Sequence, residues 1–272
     1  MNILDKIVEF KIKEVEERKS LIPTKLLEKS IFFENQAVSM KKYVKRKDKT
    51  GIIAEFKRKS PSKGEINMNA SVEKTSIGYM QSGASALSIL TDRNFFGGSN
   101  EDLTLARKFN FCPILRKDFV IDEYQIIEAK SIGADCILLI AAILDPKQIN
   151  DLAAFAHQLG LEVLLEIHEE EELERSLNPH LDLIGVNNRN LKTFEVSLET
   201  SHTLVEQIPR EFVKISESGL SNPESLVQLK MMGFDGFLIG ENFMKASRPH
   251  QAAYNFMNAY RAVKPKLDKE ER

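Results

Sequence analysis

Short apolar runs that end abruptly in charge recur along this chain. Ile52-Ile53-Ala54 leads into Glu55-Phe56-Lys57, Pro113-Ile114-Leu115 into Arg116-Lys117-Asp118, and Leu164-Leu165 into Glu166. Ile184-Gly185-Val186 leads into Asn187-Asn188-Arg189, and Val213-Lys214-Ile215 into Ser216-Glu217-Ser218-Gly219. From residue 51 onward, apolar runs of about five residues alternate with amphipathic stretches of about 10–15, the pattern of repeated β–α units. The alternation predicts strands near 51–56, 86–90, 113–116, 135–140, 162–166, 182–186, 212–216 and 235–239. Helices are predicted near 70–82, 100–109, 122–131, 145–159, 169–177, 197–206, 222–232 and 250–262. Eight of each, with polar groups gathered at strand carboxyl ends, predict an α/β fold. It is a (β/α)8 barrel of the TIM type over 51–265, with its active site at that end. Before it, Leu4, Ile7, Val8, Ile12 and Val15 keep helical spacing over 4–19 until Pro23, and another short helix is expected near 24–31. Residues 1–50 therefore read as an N-terminal helical extension packing on the barrel, and 266–272 as a charged C-terminal tail.

An internal repeat supports the count. Gly83-Ala84-Ser85-Ala86-Leu87, Gly133-Ala134-Asp135-Cys136-Ile137 and Gly233-Phe234-Asp235-Gly236-Phe237 share one form, and His180-Leu181-Asp182-Leu183-Ile184 echoes it without the glycine. The glycine suits the position just past a helix, where positive φ is needed. The copies lie about 50 residues apart, two β–α units each, as even-numbered strands would. Within a strand, residues i and i+2 share a face. Ile53, Glu55 and Lys57 are in phase, as are Leu115 with Lys117, Leu164 with Glu166, and Val213 and Ile215 with Glu217. These belong to the first, third, fifth and seventh strands. Alternate strands fill the same interior layer of such a barrel, so the top layer is predicted to hold lysines and carboxylates together. Arg116 and Lys214 fall out of phase and are expected to face the helices or solvent.

Two lysines and three carboxylates in one mouth are expected to keep each other ionised. A lysine held this way can still give a proton to an oxygen that turns basic in the transition state, and a partly desolvated carboxylate can take one back. This is equipment for acid–base work on a carbonyl or hydroxyl group. A Schiff base through Lys117 or Lys57 needs a depressed lysine pKa, which the carboxylates oppose. Glycine turns follow the seventh and eighth strands at Gly219 and Gly240, the latter opening a short helical stretch over 241–246. Backbone N–H groups there suit a phosphate. Lys59 to Gly64 either folds over the same phosphate or forms a mobile basic loop. Phe95, Phe96 and Phe119, just beyond the second and third strands, either line an apolar pocket for a ring or pack loops.

The five histidines are scattered. His168 follows Glu166 by two residues, and the acidic run Glu169 to Glu172 behind it suits the first turn of a helix better than a metal. No Gly-x-Gly-x-x-Gly follows a strand, so no metal and no dinucleotide cofactor is expected. The chain has 272 residues, 42% apolar and 29% charged, which a single barrel of roughly 250 residues accommodates. Its net charge of -2 gives no reason to expect nucleic acid or an anionic membrane as a partner. No apolar run approaches the roughly 20 residues that span a bilayer, and Met1 to Lys11 lacks the apolar centre of a signal peptide. Cys112 and Cys136 lie in or beside apolar runs and read as reduced core residues of a cytoplasmic protein. The length leaves no room for a second fused barrel, so one activity is expected, from a chain taken as monomeric.

Ile53-Ala54-Glu55-Phe56-Lys57-Arg58-Lys59-Ser60-Pro61-Ser62-Lys63-Gly64 resembles the first-strand signature of the indole-3-glycerol phosphate synthase family. Leu90-Thr91-Asp92 with Phe96-Gly97-Gly98-Ser99, and then Pro113 to Phe119, match its second and third strands. Leu165-Glu166, Gly185 to Arg189, Ser216 to Gly219 and Leu238-Ile239-Gly240 continue the match in order, and Ile3 to Val8 resembles the family's opening. The resemblance implies a small phosphosugar substrate, 1-(2-carboxyphenylamino)-1-deoxyribulose 5-phosphate. A ring carbon attacks its ketone, carbon dioxide leaves, and water is lost to give indole-3-glycerol phosphate. By the same resemblance Lys117 is the general acid at the ketone oxygen, and Glu166 serves acid–base transfer in the dehydration. Lys57, paired with Glu55, meets the substrate carboxylate and the departing hydroxyl, and Asn187 and Ser218 orient the reacting groups. Arg189 and Glu217 bind substrate polar groups, Phe96 and Phe119 line the aryl ring, and Ser60, Gly219, Gly240 and Glu241 hold the phosphate. Glu241 stands where many relatives have serine; a side chain pointing inward there would repel a phosphate. Two other readings remain. One is a different phosphosugar barrel such as phosphoribosylanthranilate isomerase, which relies on an Asp or Cys acid–base pair where this chain has lysines. The other is a catalytically silent phosphosugar-binding protein, which the loss of Lys117 or Glu166 would have favoured.

Overall fold

The computed structural model of this chain describes residues 3–191 and 193–263; the tail expected at 266–272 lies outside them. Eight parallel strands close into a barrel. They are β1 (Ile52–Phe56), β2 (Ala86–Leu90), β3 (Ile114–Lys117), β4 (Cys136–Ile140), β5 (Glu162–Ile167), β6 (Leu183–Asn187), β7 (Val213–Glu217) and β8 (Gly236–Ile239). β1 closes the ring by pairing with β8, Ile53 opposite Leu238. The helices that follow the strands are α4 (Val72–Gln81), α5 (Asn100–Phe109), α6 (Glu123–Ser131), α7 (Pro146–Gln158), α8 (Glu170–Ser176), α9 (Glu199–Leu204), α10 (Pro223–Met231) and α12 (Pro249–Val263), with the short α11 (Glu241–Met244) after β8. The side chains of Ser71, Ser99, Asp122, Asp145 and Asn222 accept N–H bonds from the first turns of α4, α5, α6, α7 and α10, which fixes where these helices start.

Alternation sorts the strand residues into two layers. Ile53, Leu115, Leu164, Val213 and Ile215 join Ala86, Cys136, Leu138, Leu183 and Leu238 in the apolar cluster that fills the barrel. Their neighbours Ile52, Ala54, Ile114, Leu165 and Ile184 belong to the second cluster, under the helices. Arg116 is out of phase and lies on the helix side, its guanidinium 2.5 Å from Glu128 and 2.6 Å from the Gln125 carbonyl oxygen. Lys214 does the same, donating to the Val205 carbonyl at 2.6 Å.

The fourfold repeat has a structural use at the foot of the barrel. Gly83, Gly133 and Gly233 take φ of +97°, +92° and +109°, the left-handed turn that ends each helix. Two residues on, Ser85, Asp135 and Asp235 accept from the backbone N–H of Gly51, Ile114 and Lys214 at 2.9, 2.8 and 3.0 Å. Asp182 does so for Val163 at 3.0 Å. Each polar side chain thus ties the entry of an even strand to the odd strand before it.

Residues 3–50 touch both ends of the barrel. α1 (Ile3–Leu21) crosses the mouth: Ile7 joins the interior cluster, and Lys11 forms ion pairs with Asp92 at 3.0 Å and Asp118 at 2.9 Å. The chain then descends the flank through α2 (Thr24–Leu27), with Ser30 bonded to the Ser131 carbonyl. α3 (Met40–Val44), which hydrophobic periodicity did not predict, seals the opposite end with Met40 and Val44. Five residues are too few for a periodic signal; tertiary contacts hold this turn. The Glu162 carboxylate accepts from Ser39 Oγ at 2.5 Å and from Lys41 N–H at 2.9 Å. The segment read as either a mobile basic loop or a phosphate cover is an antiparallel ribbon, Lys59–Ser60 against Gly64–Glu65.

Candidate active site

Glu55 rises inside the barrel on β1, and Lys57, one residue past the strand, reaches back to it with Nζ 2.9 Å from Oε1. β3 ends on Lys117. Its Nζ lies 2.8 Å from Glu166 Oε2 on β5 and 2.8 Å from Glu217 Oε2 on β7. Asn187, the last residue of β6, donates from Nδ2 to Glu166 Oε1 at 3.0 Å. The in-phase charges of the odd strands therefore meet in one layer.

Electrostatics divides the carboxylates. Burial disfavours the charged form of Lys117, but Glu166, Glu217 and Glu55 override it and hold the ammonium well above the ordinary lysine range. A lysine so held is a poor Schiff-base nucleophile. Burial also works against Glu166, yet Lys117, His168 and the Asn187 N–H keep it below the ordinary carboxylate range. Glu217 goes the other way: burial, with Glu166 and Glu55 nearby, outweighs Lys117 and lifts it above that range. Of the carboxylates in the mouth, Glu217 is thus the one whose ionisation its surroundings oppose. Its Oε1 is buried with no hydrogen-bond donor, whereas Glu166 has two flanking donors.

Two glycines make space for this layer. A Cβ built on Gly185 of β6 would overlap Glu217 Oε1, and one on Gly240 would overlap Glu55 Oε1. Gly185→Ala is expected to push Glu217 off Lys117. The expected result is at least a roughly tenfold fall in turnover, the size of a lost charged hydrogen bond, with a melting temperature lowered by only a few degrees, about 1–3 kcal/mol of overpacking. Unchanged turnover would show that the Lys117–Glu217 contact is dispensable.

These groups open into a cavity of about 430 Å³. Leu138, Ile140 and Leu238 line its depth, and Phe96 and Phe119 form an aromatic wall, their ring centroids 5.9 Å apart. Phe95 turns away to stack edge-on against Phe10 of α1. Across the cavity stand Ser60, Ser218, Gly219, Gly240 and Glu241. Ser218 adopts φ of +66°, a strained conformation for a residue with a side chain. Asn188 fastens that turn by donating from Nδ2 to the Glu217 and Ser218 carbonyl oxygens at 2.9 and 3.2 Å. The Glu241 side chain does face the cavity, but it is not bare: Arg189 Nη2 lies 3.2 Å and Lys63 Nζ 3.7 Å from its oxygens.

The residues given a role by the family resemblance border this one cavity, while Phe95, the third candidate for the aromatic wall, packs against α1 instead. Sequence reasoning missed Ile3, Leu4 and Ile7 of α1, and Leu191, Phe194 and Val196 of the loop after β6, which also line it. None sits at a strand end, so no phase argument could find them. It also missed Asn188, whose signal was the doubled Asn187-Asn188: one points in and the other out. Among the described residues no cluster of His, Cys, Asp or Glu is arranged to hold a metal ion, and no helix is long and apolar enough to cross a membrane.

Fold and site together define a (β/α)8-barrel enzyme with an acid–base mouth over an apolar-floored cavity. The family model for indole-3-glycerol phosphate synthase matches residues 4–256. A protein of that name from Bacteroides thetaiotaomicron is 50% identical over 95% of this chain and 98% of its own length. Another from Lachnospira eligens is 44% identical over 96% and 98%. The chain belongs to the indole-3-glycerol phosphate synthase family. Among solved structures, the tryptophan synthase α subunit of Legionella pneumophila superposes with a TM-score of 0.61 at 14% identity, covering 84% of this chain and 98% of that one, which shows the shared barrel.

Proposed function

We propose that this mouth converts 1-(2-carboxyphenylamino)-1-deoxyribulose 5-phosphate to indole-3-glycerol phosphate, as a carboxy-lyase of tryptophan biosynthesis. The observation that carries the assignment of roles is Lys117 Nζ, 2.8 Å from each of two buried carboxylates beside an aromatic wall. The aryl ring lies against Phe96 and Phe119 over the apolar floor. The phosphate lies across from it, near Ser60 and the backbone N–H groups of Gly219, Gly240 and Glu241. A ring carbon attacks the ketone, and Lys117 delivers a proton to the oxygen as it gains charge. Loss of carbon dioxide restores the aromatic ring. Lys57, fixed by Glu55, meets the substrate carboxylate and then protonates the departing hydroxyl, while Glu166, oriented by Asn187, takes up a proton during the dehydration. Ser218 helps orient the reacting groups, and Arg189 and Glu217 contact the polar middle of the substrate. The test is turnover of this substrate followed by indole fluorescence; tight binding without turnover would leave only a phosphosugar-binding protein.

Glu241 sets a further expectation. Its carboxylate occupies Arg189 and Lys63, two cations that line the cavity on the side of the proposed phosphate position. Glu241→Gln should free them and lower the KM about fivefold, the worth of roughly 1 kcal/mol for a partly exposed ion pair. A higher KM in steady-state kinetics would mean instead that the carboxylate is needed to hold the two cations in place.

A further inference from the structure

Glu166 has two sides. Oε2 meets Lys117, while Oε1 accepts from Asn187 Nδ2. Behind Oε1 stands a residue with no place in the proposed chemistry. His168, in phase with Glu166 and just beyond β5, has its Nε2 3.5 Å from Glu166 Oε1. It is largely buried, and it does not line the cavity.

The imidazole is held from its other edge. Glu172 of α8 accepts from the His168 backbone N–H at 2.7 Å with the same oxygen that lies 3.3 Å from Nδ1. Nε2 is buried and has no hydrogen-bond partner in the resting geometry. A nitrogen in that position, with a carboxylate oxygen 3.5 Å away, needs only a small rotation of Glu166 to complete a bond. An imidazole between two carboxylates donates to both when it carries two protons. The charged groups around it are Glu166 on β5, Glu172 on α8, Glu217 on β7 and, through Glu166, Lys117 on β3.

We infer that His168 is a positioning residue for Glu166: clamped by Glu172, it donates from Nε2 to Oε1, so that only the Lys117-facing oxygen exchanges protons with the substrate. This rests on the reading of Glu166 as the acid–base group. The protonation state agrees with the geometry: burial disfavours the cation, but the Glu172 contact and the charges of Glu166, Glu172 and Glu217 outweigh it and raise the imidazole above the ordinary histidine range. Charge on His168 also helps keep Glu166 ionised between turnovers. Asn187 shares that task without charge, so the two donors are separable by pH.

The test is the pH profile of kcat for the full chain with the carboxyphenylamino-deoxyribulose phosphate, in His168→Phe, His168→Gln and Glu172→Gln, with Glu166→Gln as the control. His168→Phe should lower kcat about tenfold, as expected for a lost hydrogen bond to a charged group. Its KM should stay within about twofold, and the acid limb of kcat should move up by roughly one pH unit as Glu166 loses a neighbouring cation. His168→Gln restores a neutral donor, so it should recover much of kcat while the acid limb stays shifted. Glu172→Gln should shift the limb in the same direction by less. A wild-type acid limb in His168→Phe, or a His168→Gln no better than His168→Phe, overturns the inference. If those variants are inert while Glu166→Gln has lost turnover, the role of Glu166 stands and only His168 falls. If Glu166→Gln keeps its turnover, the parent reading fails first. A fold defect would lower kcat in both His168 variants alike and leave the pH limb in place, which also counts against it.

Discussion

Lys117→Ala should lower turnover by about 10²–10⁴-fold, the contribution expected from one positioned acid. Two effects combine. The ketone oxygen loses its proton donor, and Glu166 and Glu217 lose the cation that lies 2.8 Å from each. Without it, Glu166 should follow Glu217 upward, because two buried carboxylates in one site cannot both stay charged. A proton is then shared between them at neutral pH, and Glu166 is no longer a ready base. The defect should therefore deepen as pH falls from neutral toward 6. Binding should suffer less, since the aromatic wall and the glycine turns are intact. Steady-state kinetics by indole fluorescence at several pH values, with binding measured separately, checks both parts. A fall of less than tenfold would remove Lys117 from the acid role and shift attention to Lys57.

Lys11→Met should destabilise the fold more than any of the active-site substitutions. Lys11 belongs to α1, yet its ammonium is buried between Asp92 and Asp118, with Glu14 at 2.9 Å. Asp92 also accepts from the backbone N–H groups of Phe95 and Phe96 at 2.7 and 3.1 Å, and Asp118 from Phe119 N–H at 2.8 Å. One cation thus fixes the two turns that carry the aromatic wall. Removing it leaves two buried carboxylates without their shared partner, a loss of about 3–5 kcal/mol, or roughly 10 °C in melting temperature. The pH dependence has a definite sign. Burial would raise Asp118, but Lys11 and Arg116 override it and pull it down to about 2. A carboxylate depressed in the folded state contributes stability that is present above its unfolded pKa of about 4 and is lost as pH falls through the folded value. Without Lys11 the folded value rises, so the acid limb of the stability curve should begin at higher pH. Thermal unfolding between pH 3 and 7 measures this; a variant as stable as the parent would mean that Asp92 and Asp118 find other partners.

Much of the barrel was legible because its grammar is local. A five-residue apolar run next to an amphipathic stretch is a β–α unit wherever it occurs, and two-residue periodicity assigns each side chain to a layer. That rule alone separates Lys117 from Arg116 and Glu217 from Lys214. The helix starts are local in the same sense, because the side chains of Ser71, Ser99, Asp122, Asp145 and Asn222 cap within their own turn. The aspartates of the fourfold repeat were visible too, but their use was not: each bonds a strand that is distant in sequence.

The sequence by itself determined the eightfold alternation and the layer in which each strand charge lies, since strand phase needs only neighbours along the chain. The tertiary structure decided which charges pair, and hence that Glu166 is held ionised while Glu217 is lifted. Pair distances and burial depend on contacts across the barrel, with Gly185 and Gly240 leaving room for the carboxylates. It also decided that α1 crosses the mouth while α3 seals the opposite end. The same amphipathic segment could pack on any apolar face, and contacts distant in sequence, Lys11 with Asp92 and Asp118 and Ile7 in the interior cluster, select this one.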